Sequence, residues 1–223
     1  MDTKNAKAVI FDLDGVLVDT GEFHKQSWND LASKQGWAFS DEIFQRTFGM
    51  QNYQIIPILV GGEVSSDEID RLGEEKEARY RELIAGKLTL LTGVRDLIGD
   101  LKANGFLLAV GTSTPRVNLE FMLEHTHVRD SFDAFVTSED VQNGKPAPDT
   151  FVKAAQKLSV PAERCVVVED AVQGVEAGKA AGMAVVAVTT TRPGTDLIQA
   201  DRIVDNLAEL AAADFDKLLG PLD

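Results

Sequence analysis

Cysteine is nearly absent from this chain of 223 residues, in which Cys165 stands alone. One thiol excludes an internal disulfide and any multi-cysteine zinc site. Aromatic residues make up 7%, and 22 basic against 36 acidic side chains leave a formal net charge of −14. With a pI near 4.6, such a surface repels polyanions, which argues against nucleic acid and anionic membranes as partners. No apolar run approaches the ~20 residues that cross a bilayer, and the opening MDTKNAK has no signal-peptide core. Together these absences predict an acidic, cytoplasmic, globular protein, monomeric by default. An anionic substrate would require positive charge concentrated locally, against the protein's own field.

What is present is ordinary in bulk, at 44% hydrophobic and 26% charged, and long enough for a proper core. Short β-branched runs at Ala8–Phe11, Phe106–Val110, Ala134–Thr137, Cys165–Val168, Ala184–Val188 and Arg202–Val204 predict strands buried on both faces. Helical patterns lie between them. Thr114-Pro115 reads as an N-cap with proline at the first helical position, and Asp149 as another cap. The stripe Leu97, Ile98, Leu101 stops at Asn104-Gly105, and Ala171–Gly182 reads as a closely packed helix. Strand alternating with helix predicts an α/β fold with a doubly wound parallel sheet.

One block breaks the alternation. From about Val18 to Lys87 the patterns are all helical, including Ser65 with Glu68 as a capping box ahead of a long charged helix. That is too long for an ordinary crossover. The expected organisation is an α/β core of residues 1–17 and 88–223 with a helical cap inserted at 18–87. The two crossings, near Val18–Thr20 and Lys87–Thr92, are the expected hinges.

The first strand runs into Asp12-Leu13-Asp14-Gly15. Residues two apart in an extended segment point the same way, so the two carboxylates converge at a strand's carboxyl end, where open parallel sheets bind ligands. Either they shape a turn into Gly15 or they hold a hard divalent cation such as Mg²⁺, which relieves their repulsion. A second pair, Glu169-Asp170, ends another strand run, and four acids on one sheet edge favour the cation. Gly111-Thr112-Ser113-Thr114 offers hydroxyls and N–H groups to an anion beside a helix start. Lys145 sits in the stiff loop Gly144-Lys145-Pro146-Ala147-Pro148, either as a solvated charge or as a balance for phosphate and aspartate.

In order, Phe11-Asp12-Leu13-Asp14-Gly15-Val16-Leu17-Val18-Asp19-Thr20, Thr112-Ser113, Lys145-Pro146 and Glu169-Asp170 resemble the four motifs of the haloacid dehalogenase superfamily. The resemblance spans nearly the whole chain and is strongest to the β-phosphoglucomutase-like sugar-phosphate phosphatases with a helical cap. It implies Asp12 as nucleophile, Asp14 as general acid and base, Thr112 with Ser113 as the phosphoryl cradle and Lys145 as charge neutraliser. It also implies Mg²⁺ held by Asp12, Glu169, Asp170 and the Asp14 carbonyl. The expected function is Mg²⁺-dependent hydrolysis of a small phosphorylated metabolite through an aspartyl-phosphate. Asp14 is expected to be kept protonated for its first step by the crowd of carboxylates.

The same resemblance admits a sugar phosphomutase, and a catalytically idle phosphometabolite binder is a further alternative. Mutases of this type carry a cap arginine that grips a second phosphate; the matching position here is Asn52. Loss of that bidentate guanidinium favours hydrolysis, although Lys76, Arg46 and Arg79 leave cations in the cap. Asp14 speaks against a dehalogenase, and the missing lysine in Phe48–Ile55 against phosphonate cleavage. His24, on the first cap helix, has either a substrate-facing or hinge role or is an ordinary helix-surface residue. His125 and His127 are expected at the surface, and Trp28 and Trp37 in the cap core.

Overall fold

The computed structural model describes residues 6–221, so residues 1–5 of the MDTKNAK opening and 222–223 lie outside the described residues. Six strands form one sheet in the order β3-β2-β1-β4-β5-β6, where β1 is Ala8–Phe11, β2 Leu107–Gly111, β3 Ala134–Val136, β4 Cys165–Glu169, β5 Ala184–Val188 and β6 Arg202–Val204. Every neighbouring pair is parallel. The expected doubly wound sheet is therefore present, with β2 starting one residue later than its apolar run suggested.

Alternation along the strands explains why these segments contain almost nothing but Val, Ile, Leu and Ala. On one face Val9, Phe11, Leu108, Val110, Val166 and Val168 join Leu97, Leu101, Leu119, Met122 and Phe215. These last five belong to helices α5 (Val94–Ala103), α6 (Arg116–Thr126) and α9 (Ala212–Leu219). On the other face Ala8, Ile10, Ala109, Val167 and Val185 meet Phe151, Ala154 and Leu158 of α7 (Asp149–Leu158) and Val175 and Ala177 of α8 (Val172–Ala180). A sheet covered on both sides has no polar face, so it reads as continuous apolar runs.

Between β1 and α5 lie four helices: α1 (Gly21–Gln35), α2 (Asp41–Thr47), α3 (Asn52–Val60) and α4 (Ser66–Ile84). Trp28, Leu31, Ile55, Ile56, Leu59 and Leu72 make a separate core for them, with Trp37 packed at its edge. Helix α1 ends at Gly36, whose φ of 75° suits glycine, and the Ser65 side chain accepts from Glu68 N at the start of α4. The chain leaves and re-enters the sheet domain side by side: Val18 bridges to Leu90, and Leu91 N donates to Leu17 O at 3.0 Å.

Two expected caps shift. Helix α6 starts at Arg116 with Pro115 before it, and the Thr114 hydroxyl, rather than capping, donates to Asp14 Oδ2. Asp149 is the first residue of α7 rather than its cap; its carboxylate accepts from Asn143 N and Nδ2. In both cases a tertiary acceptor or donor outcompetes the local one. Among the described residues no helix is long and apolar enough to cross a membrane.

Candidate active site

Strand order places β1 beside both β2 and β4, and the winding direction reverses between β1 and β4. Crevices open at such switch points, beyond the carboxyl ends of the strands. Register makes the juxtaposition specific: Phe11 pairs with Val110 and with Val168. The next residues, Asp12, Gly111-Thr112 and Glu169-Asp170, therefore emerge together. Asp12, Glu169 and Asp170 each offer an oxygen, all within 4.8 Å of one another, although 157 positions separate Asp12 from Glu169 in sequence (169 − 12).

Lys145 arrives from the loop before α7 and joins them. Its Nζ donates at 2.6 Å to Asp12 Oδ1 and at 2.6 Å to Glu169 Oε1, and the side chain is 1% exposed. Burial alone opposes its charge, but Asp12 and Glu169 more than offset that and hold the amine protonated. The carboxylates fare differently. Burial, reinforced by Glu169 and Asp14, raises Asp12 above the usual carboxylate range against the pull of Lys145. Burial and the Glu169 and Asp12 charges raise Asp170 likewise.

Three buried carboxylates facing one ammonium leave surplus negative charge. Glu169 Oε2 is committed to the backbone N–H groups of Asp170 and Ala171, at 2.8 and 2.9 Å, and the Thr191 hydroxyl donates to Asp170 Oδ2. Among the described residues Asp170 Oδ1 is buried without a partner. An orphaned carboxylate oxygen among three acids is the donor set of a hard cation, so the residues fit a divalent metal such as Mg²⁺. Gly15, at φ +79°, lies where a Cβ would fall on the Asp170 carboxylate; its lack of a side chain lets the β1 turn approach.

Asp14 stands apart from this cluster. Its Oδ1 accepts from Thr20 Oγ1 at 2.5 Å, His24 Nε2 at 3.1 Å and Tyr80 OH at 3.3 Å, and its Oδ2 from Thr114 Oγ1 at 2.5 Å. Burial works to raise Asp14, but His24, helped by Thr114 and Thr20, outweighs it and holds the carboxyl well below its ordinary range. The expectation of a proton kept there by crowded carboxylates is therefore overturned for this arrangement: four donors favour the anion.

Behind His24 the network continues. Lys76 Nζ donates to His24 Nδ1 at 2.8 Å and to Glu77 Oε1 at 2.9 Å. A donor at Nδ1 leaves Nε2 as the protonated nitrogen, the one facing Asp14. Glu77 also accepts from Asn52 Nδ2 at 3.0 Å and from Asn118 Nδ2 at 2.6 Å.

These groups surround a cavity between the strand ends and α1–α4, with about 530 Å³ of empty space counting its open mouth. Asp12, Asp14, Thr112, Ser113 and Thr114 form the floor; His24, Trp28, Phe44, Phe48, Met50, Asn52, Lys76 and Glu77 form the roof and walls. Thr112 Oγ1 accepts from Thr114 N at 3.0 Å, which leaves its O–H to donate. Ser113, expected beside it in the phosphoryl cradle, instead gives its hydroxyl to Gly49 O at 2.7 Å. His24 proves not to be a surface residue, its side chain being 12% exposed, whereas His125 and His127 are exposed.

Sequence reasoning missed Thr20, Tyr80, Glu77, Asn118 and Thr191. Thr20 lay inside the first motif and was available to inspection. The others announce themselves by no local pattern.

The family model for haloacid dehalogenase-like hydrolases matches residues 9–188 of this chain. A phosphorylated-carbohydrates phosphatase of Thermotoga maritima is 33% identical over 181 residues, covering 79% of this chain and 82% of the relative. A beta-phosphoglucomutase of Bacillus subtilis is 35% identical over 202 residues, covering 86% and 88%. The crystal structure of a beta-phosphoglucomutase from Clostridium difficile superposes with a TM-score of 0.88 at 28% identity, covering 96% of this chain and 97% of that one. With four ordered motifs converging at one sheet edge, and a family match over most of its length, the chain belongs to the haloacid dehalogenase-like hydrolases.

Proposed function

We propose that this protein is a Mg²⁺-dependent phosphohydrolase acting on a small phosphorylated metabolite of the sugar-phosphate class, by way of a phosphoaspartate on Asp12. The observation that carries this is the meeting of Asp12, Lys145, Glu169 and Asp170 from three distant stretches of chain. Asp12 attacks phosphorus, and the ester oxygen leaves; one hard displacement becomes two easier ones. Lys145 offsets the repulsion between the carboxylate and the incoming anion, and the Thr112 hydroxyl donates to a phosphoryl oxygen. Asp12, Glu169 and Asp170, with the Asp14 carbonyl, would hold Mg²⁺, which would supply charge stabilisation for the transferring phosphoryl group.

Asp14 handles the proton. The anionic form favoured by His24, Thr20, Thr114 and Tyr80 accepts a proton from the water that cleaves the phosphoaspartate. To protonate the leaving oxygen in the first step it must already carry a proton, and an entering phosphate beside it shifts the carboxyl in that direction.

A phosphomutase is the second reading, supported by likeness to a beta-phosphoglucomutase. Hydrolysis is favoured by the roof, where cations are already taken. Lys76 is bound to His24 and Glu77, and Arg79 is bound to Asp30 and Glu82. Neither Arg46 nor Arg79 is among the cavity's lining residues, and the position matched to the phosphate-gripping arginine is Asn52. The block 18–87 acts as a cap, excluding water when seated and hinging where Val18 and Leu90 adjoin.

Phosphate release from a panel of sugar and polyol phosphates tests the assignment. Turnover with Mg²⁺ and none with EDTA is expected; binding of the same compounds with no release under any metal would leave a binder. Isomerisation of β-glucose 1-phosphate in the presence of a bisphosphate primer, outpacing phosphate release, would convert the enzyme to a mutase. Identical free and ligand-bound dimensions in solution scattering would remove the hinge.

A further inference from the structure

The loop carrying Lys145 is the surface on which helix α3 of the cap rests. Tyr53 and Gln54, the second and third residues of α3, both reach it. The Tyr53 hydroxyl accepts from Gly144 N at 2.9 Å and lies 3.5 Å from Gln142 O. Gln54 Nε2 donates to the carbonyl of Lys145 itself at 3.3 Å, while its Oε1 accepts from Gln51 N at 2.9 Å. Packing is close enough to dictate a residue type: a Cβ at Gly144 would stand 2.7 Å from Gln54 Oε1 and 2.9 Å from Gln51 Cγ. The Gln54 amide cannot simply swing aside, because its oxygen is tied to the α3 backbone. On the opposite side the loop is anchored to the core, where Asn143 N and Nδ2 donate to Asp149 Oδ2.

Lys145 is thus held at both ends. Its Nζ reaches Asp12 and Glu169, each at 2.6 Å; its backbone is pinned from the cap. We propose that Gln54 and Tyr53 are positioning residues for the phosphoryl-transfer step, through which seating of the cap fixes Lys145 against Asp12, with Gly144 as the contact that admits them. This rests on the phosphohydrolase reading, in which Lys145 neutralises charge beside the nucleophile. A lysine side chain has four rotatable carbons, so its ammonium is placed only as well as its backbone is placed. Displacement of a catalytic group by about 1 Å is enough to cost up to a hundredfold in rate. Tyr53 and Gln54 are not among the residues that line the cavity; they act through the loop. The consequence is a coupling: the charge balance at Asp12 is complete when the cap is down, the same state that shuts out water.

The test uses the full-length enzyme, Mg²⁺ and whichever phosphomonoester it turns over. Gln54→Glu keeps the size and the acceptor for Gln51 N but removes the donor to Lys145 O; Tyr53→Phe keeps the ring and removes the partner of Gly144 N. Each is expected to lower kcat by about three- to tenfold, the worth of one such hydrogen bond, with KM little changed and an unaltered Tm. Gly144→Ala is expected to lower kcat further. The decisive arm is a double-mutant cycle: in a Lys145→Ala background Gln54→Glu is expected to have no further effect on kcat. Wild-type kcat in both single variants, or the same fold-loss with and without Lys145, would overturn the proposal. Should Lys145→Ala itself leave kcat unchanged, the broader assignment of Lys145 fails instead, so the two failures are distinguishable.

Discussion

The floor and the roof of the cavity are built on different principles. The floor, which Asp12 lines, rests on a charge cluster delivered by strand ends: three carboxylates and one lysine, buried, with one carboxylate oxygen left unpartnered among the described residues. The roof is apolar and neutral-polar, with Trp28, Phe44, Phe48, Met50 and Asn52, and its one lysine is neutralised by Glu77. The floor is poised for chemistry because its charges are incompletely balanced. The roof is balanced already, and so is suited to reading the shape and hydroxyls of a ligand. On the proposed function, chemistry would reside in the sheet and selectivity in the inserted helices, which would let one change without the other.

Four substitutions probe that division. Asp12→Asn removes the proposed nucleophile and is expected to lower phosphate release by about a thousandfold or more; activity near wild type would end the distinction. Lys76→Met strikes the roof through stability. It leaves Glu77, 3% exposed, buried without its counter-charge, which costs about 3–5 kcal/mol. Calorimetry is expected to show a large fall in Tm, mostly restored by adding Glu77→Gln. Asn52→Arg tests selectivity: kcat/KM for a bisphosphorylated sugar is expected to rise about tenfold relative to its monophosphate, because a guanidinium binds phosphate bidentately. An unchanged ratio would show that the second phosphate does not reach the roof.

The smallest expected effect concerns Cys165, inside the sheet and far from either surface. Burial, with a contribution from Glu163, pushes its thiol up to about 12. The reactive thiolate is then scarce at pH 8, and rises as pH approaches that value. Iodoacetamide at pH 8 is expected to leave the folded protein unmodified and active, and to label it once denatured.

The sheet was legible because parallel strands buried on both faces leave unbroken apolar runs, and Val9, Val110 and Val167 could belong to little else. The floor was legible because Asp12, Glu169 and Lys145 sit in short ordered motifs that name their own surroundings. The caps at Thr114 and Asp149 misled, since a hydroxyl or carboxylate beside a helix start serves local and distant partners equally well in sequence. Asp14 misled for the same reason on a larger scale. Its ionisation depends on Thr20, His24, Tyr80 and Thr114, contributed by three separated stretches, and of these contacts Thr20 alone lies within its own motif.

The sequence by itself determined the alternation of strand and helix, the helical insertion and the identity of the acids at the strand ends. Local periodicity and motif order encode those directly. Tertiary structure alone decided which way Asp14 titrates, that Lys76 is spent on His24 and Glu77, and that α3 rests on the lysine loop. Each of these depends on distances between residues far apart in the chain, and electrostatics and hydrogen bonding are functions of distance in space, not of separation in sequence.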